Sequence, residues 1–315
     1  MDYAALSQRI ADRFPQLSPQ LQQAARHVLD RPDDVALMSM RRLAGEAEVH
    51  PSTMVRLARA FDCDSYADFR EPFQQRLRVH PGGYLARARD LQARGAGGDA
   101  PDLVSEILAK DSANLRQTFD ANGPDKFIEV GRALTAARRL YVVGLRSVYP
   151  VAFFFHYAYS MFRDNAVLLD GRGGTLADGL RSFGSGDAIF AISFEPYTFE
   201  TVRAVDYATD HGGQAVVMTD SLVSPLAKNA DHILIVRNES PSFFRSIAGA
   251  VAAVEALIVL MTAEGGEAAL AAIRDSESQL ESFDAYWHGK ALKRRQSRKR
   301  REDPTPRRRK AAPTP

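Results

Sequence analysis

Residues 139–147 read Arg139-Leu140-Tyr141-Val142-Val143-Gly144-Leu145-Arg146-Ser147 and run straight into Val148-Tyr149-Pro150-Val151-Ala152-Phe153. A β-branched apolar run that ends on Gly and a hydroxyl, before an apolar stretch of helix length, predicts a buried strand turning into a crossover helix. Runs of the same kind recur at Ala166–Leu169, Asp187–Ser193, Gln214–Thr219 and His232–Val236, each set apart by a segment of helix length. Apolar strands alternating with helices predict a parallel sheet covered on both faces, with a ligand crevice at the carboxyl ends of its strands. The expected unit is a three-layer α/β domain over residues 105–288 with a five-stranded parallel sheet, entered through a helical lead-in that ends near Ala137.

Working outward toward the amino end, residues 81–104 have the composition of a linker. Pro81-Gly82-Gly83 and Arg94-Gly95-Ala96-Gly97-Gly98 bracket a short helical piece. Residues 1–80 carry no strand pattern and predict an all-α domain. Its first helices are Tyr3–Phe14, stopped by Pro15, and Ser18–Leu29, with Ser18 as N-cap and Arg31-Pro32 as the stop.

Within this domain the segment Met40 to Arg59, MRRLAGEAEVHPSTMVRLAR, has the spacing of a helix-turn-helix. Leu43, Ala44 and Ala47 give one helix its inner face, Val49 packs the turn, and Met54 and Leu57 give the second helix its inner face. His50, Ser52, Thr53, Arg56 and Arg59 then fall on or near the outer face, a set suited to a major groove. Hydroxyls and backbone donors at a helix start bind phosphate or base edges, and the guanidinium fork of Arg56 matches guanine. Arg41 and Arg42 are expected on backbone phosphates.

Toward the carboxyl end, residues 289–315 are a basic tail. Residues 290–310 hold twelve Lys or Arg against Glu302 and Asp303, whereas the whole chain has a net charge of only +2. Such a segment repels itself and has no apolar surface to offset its ordering, so it is expected to be disordered. The main body is therefore acidic overall and not a generic polyanion binder. A chain of 315 residues with 45% hydrophobic content excludes a fibrous or fully disordered protein. Cys63, the single cysteine, permits no intramolecular disulfide, and Met1–Arg13 lacks the apolar core of a signal peptide, so a cytoplasmic location is expected. Ile247–Ala263 has the length of a membrane span, yet Glu255 at its centre makes a buried helix the better reading.

The stretch Pro51-Ser52-Thr53-Met54-Val55-Arg56-Leu57-Ala58-Arg59, followed by Phe61 and Ser65-Tyr66-Ala67-Asp68-Phe69-Arg70, resembles the amino-terminal helix-turn-helix of the RpiR/MurR family of bacterial transcriptional regulators. The family has Ser where this chain has His50, and Gly where it has Glu48 and Asp62, positions of tight backbone turns. The strand-end loops of residues 105–285 resemble the SIS (sugar isomerase) domain, the usual partner of that helix-turn-helix and commonly a phosphosugar binder. The resemblance implies a transcription factor with a double-stranded DNA operator, a small-molecule effector, and a homodimer or homotetramer whose symmetry matches a palindromic site. It implies no cofactor, no metal and no membrane partner.

By the same resemblance Ser147, Ser193 and Thr198 map onto phosphate-contacting hydroxyls. Gly144 and Arg146 complete an anion-suited turn, and Ser240 and Ser242 are weaker candidates in a later turn. The family's Ser-x-Ser-Gly-x-Thr loop stands here as Ser193-Phe194-Glu195-Pro196-Tyr197-Thr198. A carboxylate about 4 Å from a phosphate is repelled by on the order of 4 kcal/mol per unit charge at an effective dielectric near 20. Hence Glu195 turns away, or Arg146 neutralises it, or the effector is a small polar metabolite other than a simple phosphosugar. Tyr197 and Phe194 are suited to be apolar walls.

The alternative function is a SIS-type sugar-phosphate isomerase, with Glu195, Glu200, Glu239, His156 and His211 as available proton carriers. None of them sits in a spacing that demands catalysis. There is no Gly-x-Ser-x-Gly elbow, no Lys-containing phosphate loop and no His-Glu-x-x-His, and Gly171-Arg172-Gly173-Gly174 lacks the strand-to-helix context of a dinucleotide site.

Overall fold

The computed structural model describes residues 3–79, 83–98 and 100–287; the expected basic tail lies outside the described residues apart from its neighbours up to 287. The first of these segments is a helical bundle: α1 (Tyr3–Arg13), α2 (Pro19–Asp30), α3 (Pro32–Leu37), α4 (Met40–Glu46), α5 (Pro51–Ala60) and α6 (Tyr66–Val79). Prolines at the first turns of α2, α3 and α5 explain three of the starts, since an N–H left unpaired at a helix start costs nothing to lose. Helix α6 opens on a reciprocal cap in which Ser65 N–H donates to Asp68 Oδ2 at 2.9 Å and Asp68 N–H donates to Ser65 Oγ at 3.1 Å. Ser18 occupies the N-cap position of α2, as its sequence context predicts, but its hydroxyl makes no capping bond. Leu6, Ile10, Val28, Leu43, Met54, Leu57, Phe61, Phe69 and Phe73 are fully buried and form one core.

Helix α7 (Tyr84–Ala96) fills most of the glycine-bracketed segment, and α8 (Ala100–Ala136) follows, broken at Gly123, whose φ of 66° is a left-handed conformation. The sheet has β1 (Leu140–Gly144), β2 (Ala166–Leu168), β3 (Ala188–Ile192), β4 (Gln214–Thr219) and β5 (His232–Ile235) in the order β2-β1-β3-β4-β5, every pair parallel. Between them run α9 (Tyr149–Ser160), α10 (Leu176–Gly179) and α11 (Phe199–Asp210), and after β5 come α12 (Ala248–Glu264) and α13 (Gly266–Ser282).

Alternate residues of each central strand enter separate cores. Val142, Phe190, Ile192, Val216 and Met218 face α8, α9 and α12, whereas Tyr141, Val143, Ile189, Ala191 and Val217 face α11. Two of the expected crossovers are shorter than predicted. Only the four-residue α10 separates β2 from β3, and only a 3-10 turn, Pro225–Asn229, separates β4 from β5. The apolar helix expected over Ile247–Ala263 begins at Ala248; Phe243 and Phe244 precede it and pack on Tyr84 of α7. Among the described residues no single helix is long and apolar enough to cross a membrane, and the inner face of α12 is buried through Ala250, Ala253, Val254 and Leu257.

The β5 edge is closed by side chains of α8 rather than by a further strand. Asn122 donates to Ile235 C=O at 2.8 Å and accepts from Ile235 N–H at 2.9 Å, and Thr118 Oγ1 accepts from Arg237 N–H at 3.0 Å. Asn114 accepts from Glu239 N–H at 3.1 Å and donates to Glu239 C=O at 2.7 Å. Residues 114, 118 and 122 share one helix face at four-residue spacing, so a single polar stripe satisfies the chain from Ile235 to Glu239 and fixes the strand end beside the site.

Candidate functional sites

The α4–turn–α5 unit has the helix-turn-helix geometry. Ser39 Oγ accepts from Arg42 N–H to start α4, and His50 caps α5, its ring nitrogen accepting from Ser52 N–H at 3.3 Å. Leu43, Ala44, Met54, Leu57 and Ala58 are buried, and the turn closes with Val49 N–H on Ala44 C=O at 2.9 Å. Glu48 and Asp62 have φ of 52° and 61°, both left-handed, which is why glycine suits these two positions. Arg41, Arg42, His50, Ser52, Arg56 and Arg59 are exposed. Thr53 is the exception: placed on the outer face by its spacing, it is only 2% exposed and packs with the buried side of α5. A shift of one position on a 3.6-residue period carries a side chain about 100° around the helix. Thr53 therefore falls on the inner face beside Met54 and Leu57.

The second site is a cavity of about 410 Å³ at the carboxyl ends of β3, β4 and β5. Its floor is Glu195, Pro196, Tyr197, Asp220 and Arg237, and the helical bundle forms its roof through Tyr3, Ser7, Leu29 and Asp30. Asp220, just after β4, organises the floor: its carboxylate accepts from Glu195 N–H at 3.0 Å and from the Tyr197 hydroxyl at 2.9 Å. Burial, reinforced by the adjacent Asp220, holds the Tyr197 phenol well above its ordinary range, so it remains a neutral donor. Arg245 reaches Glu195 at 3.4 Å.

The roof is anchored to the floor. Val223 is 2% exposed and belongs to the core of the bundle, while Arg26 of α2 donates to the carbonyls of Val223 and Ser224 at 3.3 Å each and stacks over Phe14 at 5.0 Å. Burial lowers the pKa of Arg26. The Asp30 carboxyl lines the cavity while staying open to solvent, and partial desolvation pushes it up to about 6.

Of the effector residues expected from sequence, the structure brings Glu195 and Tyr197 to this cavity and leaves the others outside its lining. Ser193 is buried, its Oγ occupied in accepting from Thr198 N–H at 3.1 Å at the start of α11; Thr198 is itself buried and makes no side-chain cap. Gly144 is a packing position, since a Cβ there would lie 2.9 Å from Ala152 Cβ. Arg146, at φ 56°, and Ser147 are exposed on the β1 turn, and Arg245, not Arg146, neutralises Glu195. Ser240 Oγ is held in its own turn by Ser242 N–H at 3.1 Å. Sequence reading missed Asp220, Arg237 and Arg245 as site groups and had no signal for Ser7 or Asp30. Asp220 and Arg237 follow β4 and β5 within two residues, where such a search could have looked; Arg245 lies just before α12, and Ser7 and Asp30 are brought in by domain packing.

Comparison with known proteins agrees with this fold. Residues 133–260 match the model of the SIS domain. The structure is similar to the sugar isomerase domain of an RpiR transcription factor from Sphaerobacter thermophilus, with 28% identity, 56% of this chain and 98% of that chain covered, and a TM-score of 0.53. Residues 133–260 of the chain carry a SIS domain. The HTH-type transcriptional regulator YfhH of Escherichia coli K12 is 25% identical to this chain over 227 residues, 72% of this chain and 79% of that protein. The Vibrio vulnificus NanR protein, solved in complex with ManNAc-6P, shares the fold over 88% of this chain and 98% of its own, at 21% identity and a TM-score of 0.53.

Proposed function

We propose that this chain is a cytoplasmic transcription factor that reads a palindromic operator through α5 and senses a small polar, sugar-like metabolite at the strand ends of its SIS domain. The observation that carries this reading is a helix-turn-helix with an exposed cationic edge, Arg56 and Arg59, in a bundle whose α1 and α2 wall the cavity. The relatives support it: an HTH-type regulator is similar over 72% of this chain, an RpiR transcription factor shares the sugar isomerase domain, and NanR was solved in complex with ManNAc-6P.

One recognition helix spans a few base pairs, so the working form is a homodimer or homotetramer placing two α5 helices about one DNA turn, roughly 34 Å, or a multiple of it apart. The ring series Tyr149, Phe153 and Tyr157 along α9, with Phe153 48% exposed and Tyr157 47%, supports a subunit contact on that face.

Against a catalytic reading stands the dispersal of the possible proton carriers. Glu239 is bound to Lys110 at 2.7 Å, His211 stacks on Tyr207 at 3.8 Å, Glu200 is exposed on α11, and burial lowers the pKa of His156 on α9. Of these groups only Glu195 lines the cavity.

The test is fluorescence anisotropy on operator DNA selected in vitro, against a scrambled duplex. Arg56→Ala is expected to lose roughly 5- to 150-fold in specific affinity, from about 1–3 kcal/mol per bidentate base contact. Equal retention of the wild-type protein on both duplexes at near-cellular salt refutes the reading, and turnover of phosphosugars by the purified protein would establish the isomerase alternative.

A further inference from the structure

The two walls of the cavity differ in how far their polar groups are satisfied. On the floor, Asp220 already accepts two hydrogen bonds, and Glu195 has Arg245 beside it. On the roof, the Ser7 hydroxyl of α1 is buried without a partner, and the solvent-exposed Asp30 carboxylate at the end of α2 accepts no protein hydrogen bond among the described residues. Its nearest cations, Arg26 and Arg31, act on it only at longer range, and Arg26 is committed to the Val223 and Ser224 carbonyls. Asp30 also lies close enough to Tyr197 to help hold that phenol in its neutral form, so the free carboxylate of the roof faces the hydrogen-bonded cluster of the floor.

We propose that this cavity is a ligand site built jointly by the helical bundle and the sheet, and that it takes a small hydroxylated molecule carrying an amine. The inference rests on the sensor reading above and deepens it by naming the ligand class and the second wall. A volume of about 410 Å³ falls in the range of small-molecule sites. The lining presents carboxylates from both walls, Asp30 above and Glu195 and Asp220 below, against Arg237 as the cation among the lining groups. An ammonium placed between the walls receives acceptors from each, while its hydroxyls meet Ser7 and the Arg237 guanidinium. A phosphate monoester in the same place meets negative charge above and below. Because Ser7 and Asp30 move with the bundle, a ligand bound here holds the bundle against the sheet, and by reciprocity the docked bundle binds the ligand more tightly. The metabolite is then sensed at the joint between the two domains, without a signal having to cross the sheet.

The test uses the full chain at neutral pH and three probes on one skeleton: mannosamine, N-acetylmannosamine and N-acetylmannosamine 6-phosphate. Isothermal titration is expected to rank mannosamine first and the phosphorylated probe last. Asp30→Asn should weaken mannosamine roughly ten- to hundredfold, as expected for loss of a charge-assisted hydrogen bond, while leaving N-acetylmannosamine within about twofold. Mannosamine should also slow amide hydrogen exchange in α2 and in residues 221–227 together. A tighter phosphorylated probe that is indifferent to Asp30→Asn overturns the inference and leaves the metabolite-sensor reading standing. Absence of saturable binding by the amine probe at millimolar concentration also overturns it, and operator binding scores the regulator reading separately.

Discussion

Val223 is the point at which the sheet enters the core of the bundle, and its truncation measures how firmly the two are joined. The side chain is 2% exposed and packs among bundle residues, whereas its backbone belongs to the loop after β4. Val223→Ala removes two methyl-sized groups from that core, at about 0.8 kcal/mol each, or roughly 1.6 kcal/mol in all. The carbonyls to which Arg26 donates belong to the backbone and are left in place. With about 1.4 kcal/mol per decade, the ratio of opened to docked forms should rise about 15-fold. Amide hydrogen exchange followed by mass spectrometry reads this directly. Residues 221–227 and the face of α2 should exchange faster together, while β3 and β4, whose side chains lie in the other two cores, should be unchanged. Unaltered exchange at the joint refutes the reasoning. So does an equal acceleration throughout the sheet, which would make Val223 a support of the sheet and not a link to the bundle.

Other expectations follow from the same geometry. The docked bundle binds the Asp30 proton more tightly than an opened one, because the folded pKa is raised to about 6 from an ordinary 3.8; docking should therefore gain as pH falls through about 6 and level off below about 4. His27 works in the opposite sense, its imidazole being held below the ordinary value by burial. The decisive measurement is thus the difference in exchange at the joint between the wild type and Asp30→Asn, both of which carry His27; identical pH profiles would refute it. Thr53→Val keeps the shape of a buried side chain, so operator affinity measured by anisotropy should stay within about twofold. A loss comparable to that expected for Arg56→Ala would put Thr53 back in the groove. Gly144→Ala drives a Cβ to 2.9 Å from Ala152 and 3.3 Å from the Val148 carbonyl, and should cost about 1–3 kcal/mol in chemical unfolding whether or not effector is present.

The architecture was readable before any packing was known, because both halves rest on local periodicities. Five apolar runs with helix-length spacers are sufficient to specify a parallel sheet covered on both faces, and the spacing of Leu43, Ala44, Met54 and Leu57 defines a helix-turn-helix inner face. The left-handed backbone at Glu48 and Asp62 was legible as well, through the glycines of the family that this segment resembles. Periodicity had less to say where a single position decides the outcome. Thr53 turned inward, and Ser193 was absorbed into the start of α11, because each hydroxyl is governed by the neighbours it meets and not by its residue type. The cavity was decided by tertiary structure alone. Ser7 and Asp30 stand more than 160 positions before Glu195 and Asp220, and no repeat or spacing links them. What joins them is the seating of Val223 and the reach of Arg26, contacts between two separately patterned domains whose complementarity exists only once both have folded.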